Sequence, residues 1–147
     1  MNGLLKNITS SLRYQLEEAG GQIEYGVLPP CSADPAAASK LFTNLLDNAI
    51  KYRHKDRAPV VNVTGEVKGA MVLYTVADNC SGIPAADLSR IWNLFYQPER
   101  PHGSKGEGIG LPMVRLMVEK NGGAIRMESE EGKGSVFYVE LPAAEEG

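Results

Sequence analysis

Two hydrophobic periods alternate along this chain. Over residues 5–18, "LKNITSSLRYQLEE", apolar positions recur every three or four residues, which predicts an amphipathic helix ended by Gly20-Gly21. "QIEYGVL" then alternates as a strand before Pro29-Pro30. The best helical pattern is "DPAAASKLFTNLLDNAIKYRHKD", where Asp34 can cap and Pro35 suits the first turn. "APVVNVTGEV" and "AMVLYTVAD" read as adjacent strands joined by a turn near Lys68-Gly69. "ADLSRIWNLFY" predicts a short helix, and the polar segment "QPERPHGSKGEG" leads to another helix over about 109–121. "GAIRMESEEGKGSVFYVELP" closes the pattern as two strands around a glycine-containing turn. The order predicts a two-layer α/β sandwich with a mixed sheet. A doubly wound parallel fold fits less well, because strict strand–helix alternation is missing.

Composition narrows the class without naming a function. The 147 residues, 43% hydrophobic and 22% charged, suit one soluble globular domain with its own core. A net charge of −3 with no basic-and-aromatic stripe gives no reason to expect nucleic acid. Two cysteines, Cys31 and Cys80, form neither a disulfide framework nor a zinc pattern, so a reducing cytosol is expected. No apolar run approaches the ~20 residues needed to span a bilayer, and no secretory h-region opens the chain. Direct membrane contact is not expected of this domain, although a parent protein could be membrane-anchored.

Three stretches carry candidate chemistry. On the main helix, Leu41, Phe42, Leu45, Leu46 and Ala49 fall on one broad arc that must pack on the sheet. Asn44, Asn48 and Lys51 share a narrow stripe beside it. Mid-helix asparagines lower propensity; they are either tolerated on a solvated face or turned to a ligand, with amide oxygens for a hard metal ion and an ammonium for phosphate. Asp78 ends a strand at a glycine turn, where a carboxylate can accept a hydrogen bond from an exocyclic amine. The plainer alternative is an Asx-turn in which Asp78 and Asn79 cap a loop. Finally, Gly106, Gly108 and Gly110 precede a helix whose apolar set is Ile109, Val114, Met117 and Val118, with Gly122 placed for a left-handed cap. A glycine loop before a helix N-terminus suits an anion. It is neither the dinucleotide fingerprint nor a P-loop, because the spacing and the Gly-Lys-Ser/Thr ending are absent.

Together these stretches resemble the catalytic and ATP-binding domain of sensor histidine kinases, a member of the Bergerat-fold superfamily shared with gyrase, the ninety-kilodalton heat-shock chaperones and mismatch-repair proteins. "NLLDNAIKY" resembles the N box, "DNCSGIP" the first glycine box, "IWNLFYQ" the F box and "GEGIGL" the second glycine box. The ending "GGAIRMESEEGKGSVFYVELP" is similar to the family's final strands. The match runs from about Leu41 to Pro142, within a chain expected to be a single domain over residues 1–147.

The resemblance implies roles residue by residue. Asn48 would ligate Mg²⁺, with phosphate oxygens and waters completing the octahedron. Asn44 would support the phosphate and metal region, and Lys51 would offset phosphate charge. Tyr52 would lie beside the nucleotide, and Asp78 would accept from the adenine amino group. Gly82 would give the base room, with Ile83 also in the nucleotide site. Phe95 would anchor the base of the lid. Gly106, Gly108 and Gly110, with Ile109 and Leu111 among them, would pass the triphosphate along the helix N-terminus. Two positions depart from the pattern: Cys80 stands where the first glycine box usually has Gly, and Glu107 replaces a small hydroxyl residue.

An acceptor for the phosphoryl group is not expected in this chain. "HKDRAP", from His54 to Pro59, superficially echoes the family's phosphoacceptor box, but Lys55 occupies the position of its acid; His102 falls in the lid segment. The resemblance therefore implies a cytoplasmic, monomeric phosphoryl-donor domain for Mg-ATP. Its partner would be the dimerisation and phosphoacceptor domain of the same kinase, with a response regulator engaged indirectly. A serine kinase of the anti-sigma type and a nucleotide-sensing or docking module without transferase activity are the alternatives.

Overall fold

The computed structural model describes residues 2–51, 58–79, 110–130 and 132–144. Helix α3 (Pro35–Lys51) forms where the sequence places it. Asp34 Oδ2 accepts the Ala37 N–H at 3.1 Å, so the expected cap is made. The apolar arc of α3 is buried in full: Leu41, Phe42, Leu45, Leu46, Ala49 and Ile50 are at most 3% exposed.

That arc lies over a five-stranded sheet made of β1 (Gln22–Tyr25), β2 (Val60–Lys68), β3 (Met71–Asp78), β4 (Ala124–Glu130) and β5 (Gly134–Pro142), in the order β1-β2-β3-β5-β4. β1 pairs with β2 in parallel and every other pairing is antiparallel. The sheet is thus mixed and mainly antiparallel, as expected. Alternate side chains face the helices: Val61 and Val63, then Val72, Tyr74 and Val76, then Phe137, Val139 and Leu141, all buried. Helix α4 (Gly110–Lys120) adds Val114 and Val118 to the same core, and Met117 packs at its margin. Gly122 takes φ +81°, the left-handed conformation expected after α4.

Two elements differ from the sequence reading. The first helix is two, α1 (Asn2–Ser11) and α2 (Arg13–Ala19), parted at Leu12. Thr9 and Ser11 donate their hydroxyl protons back to the Leu5 and Ile8 carbonyls at 2.8 Å, a competition that bends helices. The break keeps Leu5, Ile8, Leu12 and Leu16 all buried, and both short helices pack against α3. β1 stops at Tyr25 rather than Leu28. Past that point Leu28 turns into the core and Pro29 passes over Gly65, where a Cβ would lie 2.7 Å from Pro29 Cδ. The segment predicted as a helix over "ADLSRIWNLFY" lies outside the described residues.

Candidate functional site

A few contacts decide which ends of the elements meet. Asp34, at the start of α3, donates its backbone N–H to Asn121 Oδ1 at the end of α4, 3.1 Å away. The two packed helices therefore run antiparallel. At the same end, Ser32 N–H donates to the Pro142 carbonyl at 2.9 Å and Ala143 N–H to the Ala70 carbonyl at 2.8 Å. This end holds the start of α3 and β3 and the finish of α4 and β5. The opposite end gathers the finish of α3, the start of α4, Asp78 and Gly134.

Helix rise sets the level at which they meet. At about 1.5 Å per residue, the climb from Asn121 back to Gly110 is roughly 16 Å. The same climb from Asp34 along α3 reaches Leu45. The N-terminus of α4 therefore stands level with the Asn44–Asn48 turn. Asn44 and Asn48 are both half-buried, one turn apart, beside the core arc. The first turn of α4 contains no acidic residue, so its positive end meets no carboxylate of its own. Leu111 in that turn is half-buried against the core. Lys51 is the last residue of α3, at this end.

Asp78 arrives from the sheet. It continues the helix-facing row of Val72, Tyr74 and Val76, is half-buried, and pairs with Val61 on β2 and Ser135 on β5. Ser135, 3% exposed, is the buried polar side chain among the described residues. Its Oγ lies 2.8 Å from Ser129 Oγ, while Ser129 Oγ also lies 3.0 Å from the Gly134 carbonyl. A serine hydroxyl has one proton. If Ser129 directs its own to Gly134, the Ser135 proton is directed to Ser129.

Sequence reasoning weighed Asn79 only as a local cap and did not single out Gly134 or Ser135. Asn79 in fact reaches across the sheet: its Oδ1 accepts the Val60 N–H at 2.8 Å and its Nδ2 donates to the Ala58 carbonyl at 3.0 Å. The turn "EGKGS" is visible in the sequence, but its contact with Asp78 is a matter of strand order. Among the expected site residues, Asn44, Asn48, Asp78 and Leu111 are described with their burial, and Lys51 and Gly110 by their place in α3 and α4. Tyr52, Gly82, Ile83, Phe95, Gly106, Gly108 and Ile109 lie outside the described residues, as do Cys80, Glu107, His54 and His102.

The chemistry of this end suits a polyanion with an amine-bearing base. It offers a helix N-terminus, amide oxygens one turn apart and a carboxylate at the adjoining strand end. Among the described residues no group of three His, Cys, Asp or Glu could hold a metal ion alone. An amide oxygen at Asn48 fits a hard cation that takes its remaining ligands from phosphate and water.

Residues 33–145 match the family of histidine kinase-, DNA gyrase B- and HSP90-like ATPases. The chain belongs to that family. Its relatives include the phytochrome-like protein Cph1 of Synechocystis sp., 32% identical over 133 residues covering 90% of this chain and 18% of that protein. The sensor histidine kinase ZraS of Escherichia coli is 36% identical over 115 residues, covering 78% of this chain and 23% of that protein. The chain thus spans about a fifth of the length of these curated relatives. Among solved structures, full-length ShkA in complex with AMPPNP superposes with a TM-score of 0.80 at 28% identity, covering 97% of this chain and 30% of that one. The mycobacterial sensor histidine kinase MprB also gives 0.80, at 21% identity, with 97% and 94% covered, and supports the Bergerat fold.

Proposed function

We propose that this chain is the ATP-binding catalytic domain of a two-component sensor histidine kinase, presenting Mg-ATP for γ-phosphoryl transfer to a histidine on a separate dimerisation helix. The observation that carries the reading is the meeting, at one end of the sandwich, of the Asn44–Asn48 turn, the α4 N-terminus and Asp78. The likeness to ShkA, solved with an ATP analogue, supports the same reading.

The described residues have tasks that their positions suit. Asp78 accepts a hydrogen bond from the adenine amine, which guanine does not offer at that position. The N–H groups opening α4 receive the triphosphate, helped by the helix dipole. Lys51 offsets phosphate charge. Asn48 holds Mg²⁺ by its amide oxygen and Asn44 supports that region; the ion, when bound, neutralises charge on the phosphate oxygens. Phosphoryl transfer rests mainly on such positioning and charge stabilisation. By the family resemblance, Tyr52, Gly82, Ile83 and Phe95 are assigned to the base, and Gly106, Gly108, Ile109, Gly110 and Leu111 to the phosphates. The acceptor histidine belongs to the kinase's dimerisation domain, and the ATP-binding domain works in the cytoplasm as a monomer.

The test is thermal unfolding with and without Mg-ATP, Mg-ADP and Mg-GTP, for the wild type, Asn48→Asp and Asp78→Asn. Ligand at 100 times its Kd stabilises the native state by ~2.7 kcal/mol. The expected result is an adenine-selective shift, weakened in both variants. No shift at millimolar nucleotide would refute the assignment. Phosphoryl transfer to an added dimerisation domain then separates a kinase domain from a nucleotide-sensing module, which would bind and transfer nothing.

A further inference from the structure

Asp78 stands at the last paired position of β3, where a strand normally frays. Two features hold it there. The Asn79 backbone N–H donates to the Val60 carbonyl at 3.3 Å, and the Asn79 side chain bonds the Val60 N–H and the Ala58 carbonyl at 2.8 and 3.0 Å. The side-chain amide acts as a surrogate peptide group: it supplies one acceptor and one donor to the neighbouring strand, as the next ladder residue would. On the other side, Gly134 lies against Asp78 so closely that a Cβ would fall 2.1 Å from the Asp78 carbonyl oxygen and 3.1 Å from Asn79 Cα. Its φ of +146° is also one that favours glycine. The backbone that carries the carboxylate is thereby held from β2 and from β5.

We infer that Asn79 is a positioning residue for base selectivity: seated against the glycine at 134, it fixes the carboxylate of Asp78 where it meets the base. This rests on the assignment of Asp78 to the adenine amine. Geometry explains why a second residue is needed. A hydrogen bond weakens steeply once its angle drops below ~120°, so a strand end free to shift would leave the carboxylate present but misaimed. The phosphate side, built on α3 and α4, does not depend on Asn79. Loss of the clamp should therefore reduce the preference for ATP over GTP rather than nucleotide binding as a whole.

The experiment is calorimetric titration of the 147-residue chain with Mg-ATP and Mg-GTP. The variants are Asn79→Ala, Asn79→Asp, Gly134→Ala and Asp78→Asn, with Gly123→Ala as a control. A Cβ at Gly123 would also meet a strand carbonyl, 2.0 Å from Glu140 O, but at the far end of the sheet. Asn79→Asp keeps an acceptor for Val60 and loses the donor to Ala58, so it serves if Asn79→Ala does not fold. The expected result is a ~3- to 10-fold fall in the ATP/GTP affinity ratio for the Asn79 and Gly134 variants, the size of one hydrogen bond lost. GTP affinity and the ratio in Gly123→Ala should stay as in the wild type. If the Asn79 and Gly134 variants weaken ATP and GTP equally, or lower only Tm, while Asp78→Asn abolishes the preference, the positioning role is overturned and the adenine assignment stands. If Asp78→Asn leaves the preference intact, the adenine assignment itself falls and takes the inference with it.

Discussion

Replacing Tyr74 by Phe should remove one hydrogen bond and one proton equilibrium while leaving the core shape intact. Tyr74 is fully buried, and its ring meets Phe42 edge-on, with centroids 5.4 Å apart and planes at 86°. Its hydroxyl donates to the Pro29 carbonyl, fastening the 26–34 strap across the core. Loss of the donor at that carbonyl should destabilise the chain by ~1–3 kcal/mol at neutral pH, with a fall in Tm of ~2–4 °C per kcal/mol for a chain of this size. The pH dependence gives the sharper test. Burial first, and the Cys31 thiol beside it second, push the Tyr74 phenol well above its ordinary value of 10.0. Below pH 10 the phenol is protonated in both folded and unfolded chains, and its contribution is constant. Above pH 10 the unfolded phenol loses its proton while the native one keeps it. The unfolded chain then binds fewer protons, and stability falls by up to ~1.4 kcal/mol per pH unit. Urea unfolding of the wild type and Tyr74→Phe from pH 7 to pH 11.5 should give a gap that is flat to about pH 9.5 and closes above it. Cys31→Ala in both backgrounds confines the comparison to the phenol and its burial. A gap that stays constant to pH 11.5 would refute the reasoning.

Other expectations follow from the packing. Leu45→Ala, at a fully buried position, should destabilise by ~2–5 kcal/mol in urea unfolding yet keep the sign of the Mg-ATP-induced Tm shift, since its side chain faces the core. Asp34→Ala removes the cap on Ala37 N–H and should cost ~0.5–2 kcal/mol; an unchanged Tm would mean that water replaces the cap. Gly69 takes φ +63°, and a methyl group there would have nothing within 4 Å, so Gly69→Ala should lose only the ~1–2 kcal/mol of a left-handed alanine. Gly123→Ala should lose more, because its methyl has no room; equal losses would show that the sheet yields there.

Much of this fold is legible in the sequence because its main helix and its central strands carry strong, opposite periods. The arc from Leu41 to Ala49 and the alternation of Val72, Tyr74 and Val76 each needed only local spacing. The misses share a cause. The split at Leu12 follows from Thr9 and Ser11 bonding back to their own helix, in a stretch whose apolar spacing looks unbroken. β1 ends early because Gly65, far along the chain, admits Pro29. Asn79 looked like a loop cap because its partners, Ala58 and Val60, lie 21 and 19 residues upstream, beyond the reach of a turn-based reading. The site divides the same way. Asn44 and Asn48 declare themselves by helical spacing, whereas the seat of Asp78 on Gly134 depends on which strand lies next to β3.

That strand order bears on synthesis. β5 is the last of the five strands to leave the ribosome, yet it sits inside the sheet between β3 and β4. Until it emerges, β3 has an open edge and β4 has no neighbour, so the nascent chain can pair only β1, β2 and β3, a partial sheet with an unpaired flank of the kind that invites aggregation. Insertion of β5 closes that flank and brings Gly134 against Asp78 in one event. Completion of the sheet and completion of the base-reading corner are therefore simultaneous, and a partly made domain should select no nucleotide.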